Sequence, residues 1–154
     1  MTDARLLPIR LALPHEAGAL TDLARAAYAK WVPVLGREPR PMKADYHAAV
    51  AEFRFDVIEN GGAIVASIQT QPRERHFWVE SVAVAPELQG YGVGQRLLAH
   101  AEDLAREAGY SEIRLLTNGK MVDNRRLYAK VGYTEDLEEP FGDGTVVYLS
   151  KRLG

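Results

Sequence analysis

The stretch "HFWVESVAVAPELQGYGVGQRLLAHAEDLAREAG", residues 76–109, decides how the rest of the chain is read. Residues 76–85 are rich in β-branched and aromatic types and read as a strand. From Val93 the period changes: Val93, Leu97, Leu98, Ala101, Leu104, Ala105 and Ala108 share one face of a helix, with Gly109 as its stop. Between them stand Gly90, Gly92 and Gly94, each of which would weaken a helix or strand interior by about 0.5–1 kcal/mol. Glycines between a strand and a helix let backbone N–H groups approach an anion at the helix's positive end. The same composition also serves a tight turn that binds nothing.

Working outward, "LPIRLAL" (7–13) reads as a first strand and 15–31 as a helix with Leu20, Leu23, Ala24, Ala27 and Trp31 on one face. Three prolines and a glycine in 32–41 interrupt helical character, and a second helix is expected over 43–53. Asn60-Gly61 lies between two β-rich runs and predicts a hairpin. Residues 71–75 form a second turn before the strand at 76–85. After the long helix come a strand (111–117), a short helix (123–131) capped by Asp123 or Asn124 and stopped by Gly132, and two strands near 133–138 and 144–151. The order is that of an α+β fold in one domain, residues 1–154.

Composition narrows the function. With 47% hydrophobic and 26% charged residues the chain is of ordinary globular type. A net charge of −2 argues against an electrostatically driven nucleic-acid binder. There is no cysteine, which excludes disulfides, thiolate zinc sites and a cysteine acyl-enzyme. No stretch has the apolar length of a signal peptide or membrane span, so a cytoplasmic location is expected. His15, His47, His76 and His100 lack metal-ligand spacing, and no metal site is expected.

Two familiar phosphate loops fail on spacing. A dinucleotide fingerprint begun at Gly90 or Gly92 meets Gln95 or Leu97 where its third glycine belongs, and no G-K-[ST] ending is present. What remains is Gln89-x-x-Gly92-x-Gly94 after a strand and opening a helix. This resembles the [QR]-x-x-G-x-[GA] pyrophosphate motif of the GNAT superfamily, the acetyl-coenzyme A-dependent N-acetyltransferases. "SVAVAPELQGYGVGQRLL" is similar to that family's strand–loop–helix unit, and "NRRLYAKVGY" (124–133) to its second signature. The resemblance covers nearly the whole chain. It implies a three-layer α/β/α fold with a mixed, mostly antiparallel sheet of about seven strands and about four helices.

The resemblance also implies site roles. Gln89, Gly90, Tyr91, Gly92, Val93, Gly94 and Gln95 would hold the pyrophosphate of acetyl-coenzyme A, chiefly through backbone N–H groups. Gly92 and Gly94 would keep Cβ atoms out of the anion's approach, and the Gln89 amide would donate where relatives place arginine. The pantetheine arm would lie along the strand, bonded to the main chain of Val82 and Val84, with a β-bulge near Ala83 and the Val84 amide as oxyanion donor. Tyr128 corresponds to the general acid that protonates the departing thiolate; from the residues alone it reads first as a core tyrosine on a short amphipathic helix. Asn124, four residues earlier, is a helix cap, a donor to the pantetheine, or both. Glu80 is the carboxylate placed to deprotonate the amine, through water, or else a solvent-facing glutamate.

The expected activity is transfer of acetyl to a primary amine, a small molecule rather than a protein, by direct attack in a ternary complex. The alternative is a non-catalytic acyl-coenzyme A-binding regulatory module. Neither nucleic acid nor membrane is expected as a partner, and a homodimer is admitted. The loop 31–46 is where the family binds its amine: Trp31, Met42 and Tyr46 would line an apolar pocket there, and Arg37 and Arg40 would receive a carboxylate.

Overall fold

The computed structural model describes residue 3 and residues 6–154. Seven strands form one sheet in the order β1-β2-β3-β4-β5-β7-β6: β1 Ile9–Leu11, β2 Arg54–Asn60, β3 Ala63–Pro72, β4 Phe77–Val84, β5 Glu112–Asn118, β6 Thr134–Phe141 and β7 Gly144–Arg152. Every neighbouring pair is antiparallel except β4 and β5. The longer helices are α1 Ala17–Tyr28, α4 Tyr46–Glu52, α5 Val93–Glu107 and α6 Val122–Lys130; α2 Val32–Leu35 and α3 Arg40–Lys43 are single turns. Among the described residues no helix is long and apolar enough to cross a membrane.

Alternation along β2 places helices on both faces of the sheet. Phe55 and Val57 pack with Leu20 and Ala24 of α1 and Tyr46 of α4, while Asp56, between them, lies 2.9 Å from His100 of α5. The α5 stripe predicted from the sequence is buried at Val93, Leu97, Leu98, Ala101 and Ala105, and Leu97 or Leu98 alone stabilises the layer by about 1.5–3 kcal/mol. Ala108 is exposed instead, and Glu102 is buried, because Lys151 of β7 reaches its carboxylate at 3.0 Å.

Several boundaries differ from the sequence expectation. Pro33 falls in the first turn of α2, where a missing N–H costs nothing, and left-handed Gly36 (φ 74°) ends the turn. The second helix begins at Tyr46, not 43, because the Asp45 carboxylate accepts the Ala48 N–H. The first hairpin turns on Gly61-Gly62 rather than Asn60-Gly61: both turn positions have positive φ, and two glycines supply that conformation without a Cβ penalty. Neither Asp123 nor Asn124 caps α6, whose N-cap is Met121.

The sheet splits where the functional stretch begins. β4 pairs with β5 only at Phe77 and Trp78, so Val79–Val84 have a strand neighbour on the β3 side alone.

Candidate active site

The loop after β4 prepares the end of α5. Gly90 (φ 85°) and Gly92 (φ 86°) are left-handed, and Gly92 is the N-cap of the 15-residue helix. Among the described residues, no backbone N–H from Gly90 through Gln95 donates to a protein acceptor. These donors open onto a cleft of about 480 Å³, whose rim carries Lys30, Arg126 and Lys130. Orphaned donors, a helix's positive end and three cations suit a diphosphate. Tyr91 is 62% exposed and Val93 is buried in the core, and neither side chain lines the cleft.

Two expectations for the loop change. The Gln89 amide turns inward, donating to Val84 O at 2.9 Å and Ala27 O at 3.3 Å, while its oxygen accepts from Lys30 Nζ at 2.8 Å. Gln89 therefore ties the loop to α1 and β4 and leaves the positive charge to Lys30. Gly94 faces α6 rather than the anion: a Cβ there would sit 3.3 Å from Leu127 Cδ2, a close approach that the leucine would have to accommodate.

The open edge of β4 continues from this cleft. The Val82 carbonyl accepts the Tyr28 hydroxyl at 2.7 Å and the Val84 carbonyl accepts the Gln89 amide. Ala85 N–H, by contrast, donates to Val65 of β3. Alternation then turns the N–H groups of Val82 and Val84 to the open edge, while Ala83, buried and paired with Ser67, directs its main chain to β3. The bulge lies at Glu80 rather than near Ala83: Gln69 opposes Ser81 and Thr70 opposes Val79, so Glu80 is the extra residue.

Beyond the edge is a second, larger groove of about 1220 Å³. Tyr28, Val82, Asn124 and Tyr128 line both cavities and mark their junction, whereas Val84 lines only the cleft beside the loop. Tyr128 is 8% exposed and packs edge-on to Tyr133. Its hydroxyl has no hydrogen-bond partner among the described residues, and burial pushes its pKa up to about 12. Asn124 makes a single weak contact, Nδ2 to Met121 Sδ at 3.5 Å.

In the groove, the Glu80 carboxylate accepts the Trp78 indole N–H at 2.7 Å and lies 3.8 Å from Arg40. Leu116, Tyr148 and Leu137, in register across β5, β7 and β6, form part of the opposite wall. Tyr46 lines the groove, Trp31 lines the cleft instead, and Met42 lines neither and is buried in the core.

Sequence reasoning missed three residues. Lys30 and Tyr28 carried no signal, since their partners on the loop and β4 are more than fifty positions away. Trp78 stands two positions before Glu80, a spacing that puts both on one strand face and could have named it.

This fold is one that acetyltransferases adopt. The family model described as "Acetyltransferase (GNAT) family" matches residues 19–133, and the chain belongs to that family. The chain is 31% identical to the IAA acetyltransferase of Azospirillum brasilense, over 68% of this chain and 71% of that protein. It is 39% identical to the aminoalkylphosphonate N-acetyltransferase of Salmonella typhimurium, but over only 37% of each chain. The PaiA N-acetyltransferase of Thermoplasma acidophilum, solved in complex with coenzyme A, shares its fold with a TM-score of 0.78, at 16% identity over 95% of this chain and 98% of that one.

Proposed function

We propose that the protein transfers an acetyl group from acetyl-coenzyme A to the primary amine of a small molecule, by direct attack within a ternary complex. One observation carries the reading: a tyrosine hydroxyl and a strand amide that have no partner among the described residues stand where two cavities meet. The acetyl donor enters through the cleft and the amine through the groove.

Acetyl-coenzyme A supplies an acyl group activated as a thioester. The N–H groups of Gly90 to Gln95 hold its diphosphate, with Lys30, Arg126 and Lys130 supplying positive charge. The open edge of β4 receives the pantetheine at the amides of Val82 and Val84, and Asn124 adds a side-chain contact from α6. Val82, at the junction, takes over from Val84 the task of donating to the carbonyl oxygen as negative charge develops there. Glu80 accepts, directly or through water, the proton that the ammonium must lose before its nitrogen can attack. As the C–N bond forms and the C–S bond breaks, the Tyr128 hydroxyl gives its proton to the departing sulfur and is reprotonated from solvent.

The proposal takes residues 1–154 as one domain at work in the cytoplasm. The test is initial-rate thiol release from acetyl-coenzyme A over amino acids, polyamines, aminoglycosides and peptides, with the N-acetyl product identified by mass. Amine-dependent release with intersecting double-reciprocal lines supports it. Coenzyme A binding with no release on any amine makes the protein a binding module.

A further inference from the structure

We propose that the acceptor carries an anionic group one carbon from its amine, as in an α-amino acid or an aminomethylphosphonate, and that Arg40, with Arg37 and Lys43, holds it. This rests on the acetyltransferase reading above. The groove carries an imbalance of charge. Arg37, Arg40 and Lys43 all line it from the segment between α2 and α4. Arg37 and Lys43 have no hydrogen bond or ion pair among the described residues, and Arg40, its side chain 82% exposed, has only Glu80 at 3.8 Å. Four other arginines on the protein's surface are engaged by carboxylates: Arg10 by Glu16, Arg25 by Glu38, Arg114 by Glu112 and Arg125 by Glu135. Two unpaired cations and an arginine with only a 3.8 Å contact to Glu80 make this wall of the cavity a receptor for negative charge, and a guanidinium presents a planar fork matched to carboxylate or phosphonate.

The position of Arg40 makes the inference specific. Its Nη2 stands 3.8 Å from the Glu80 carboxylate, itself oriented by Trp78. An ammonium and an acid joined through a single carbon can meet such a carboxylate–guanidinium pair at the same time. The carboxylates of Asp136 and Glu139 also line the groove, and Glu139 accepts the Tyr148 hydroxyl. A diamine or lysine-rich peptide could satisfy the acidic groups but would put its remaining cations against Arg37, Arg40 and Lys43.

The test compares kcat/KM, corrected for the fraction of free amine, within pairs that differ only in the acid. The pairs are L-phenylalanine with 2-phenylethylamine, L-leucine with 3-methylbutylamine, and aminomethylphosphonate with methylamine. The expected result is a preference of about tenfold or more for the acid-bearing member of at least one pair. Arg40→Met, which keeps the stem and removes the charge, should lower kcat/KM for that acid about tenfold more than for its partner, and Arg40→Lys should restore part of the difference. Equal or better use of the decarboxylated amines, or an Arg40→Met loss of the same size for both members, overturns the inference while leaving acetyl transfer in place. Thiol release no faster than in buffer with every acid-bearing amine, while acetyl-coenzyme A still binds, also overturns it. Absence of acetyl-coenzyme A binding overturns the underlying reading instead.

Discussion

The hydroxyl of Tyr28, near the end of α1, donates to the Val82 carbonyl at 2.7 Å across the layer between helix and sheet. The Val82 peptide is thereby oriented at the one stretch of β4 that has no strand beyond it. Tyr28→Phe leaves that part-buried carbonyl without its donor, and the loss of such a hydrogen bond costs about 0.5–1.5 kcal/mol. Urea unfolding should show a lower midpoint at unchanged m-value, with kcat falling more than acetyl-coenzyme A affinity. An unaltered midpoint would mean that the bond contributes nothing.

Tyr128→Phe keeps the ring against Tyr133 and removes the proton donor. Turnover should fall roughly 10²–10⁴-fold with little change in cofactor affinity, as expected for loss of a general acid. Wild-type turnover under conditions where chemistry limits the rate would make Tyr128 a packing residue only.

Burial also fixes the sign of a pH effect. A phenol pushed up to about 12 stays protonated, and so able to donate, well above the ordinary tyrosine range. The kcat/KM profile should accordingly show no descending alkaline limb from Tyr128 below about pH 11. A descending limb near pH 10, present in wild type and absent in Tyr128→Phe, would contradict the buried environment.

Glu80→Gln preserves the acceptor for the Trp78 indole but cannot take up a proton. Activity should drop most at low pH, where the acceptor is mainly ammonium, and recover as free amine accumulates. Superimposable pH–rate profiles for wild type and variant would remove Glu80 from the mechanism.

What was legible in the sequence is what short-range chemistry encodes. Gly109 and Gly132 stop helices because their positive φ suits glycine, and the strand–loop–helix unit follows from the change of period at Val93. The features misplaced in the site depend on distant partners. The bulge sits at Glu80 because of how β4 registers against Gln69 and Thr70, which nothing within 76–85 reveals. Gln89 faces inward because the Ala27 carbonyl and Lys30, from the first helical segment, meet it there. Gly94 looked like a concession to an anion, yet its neighbour is Leu127, on a helix that packs only in the finished fold.

The central claim is that the loop at the start of α5 holds the diphosphate of acetyl-coenzyme A, and calorimetric titration tests it most directly. Gly92→Asp puts a carboxylate among the unpaired N–H groups. Gly62→Asp imposes the same left-handed strain (φ 85° against 86°) on a hairpin remote from the cleft. The account predicts that wild type and Gly62→Asp bind acetyl-coenzyme A alike, one per chain, and that Gly92→Asp, folded by circular dichroism, does not bind. Wild-type affinity in folded Gly92→Asp would contradict it.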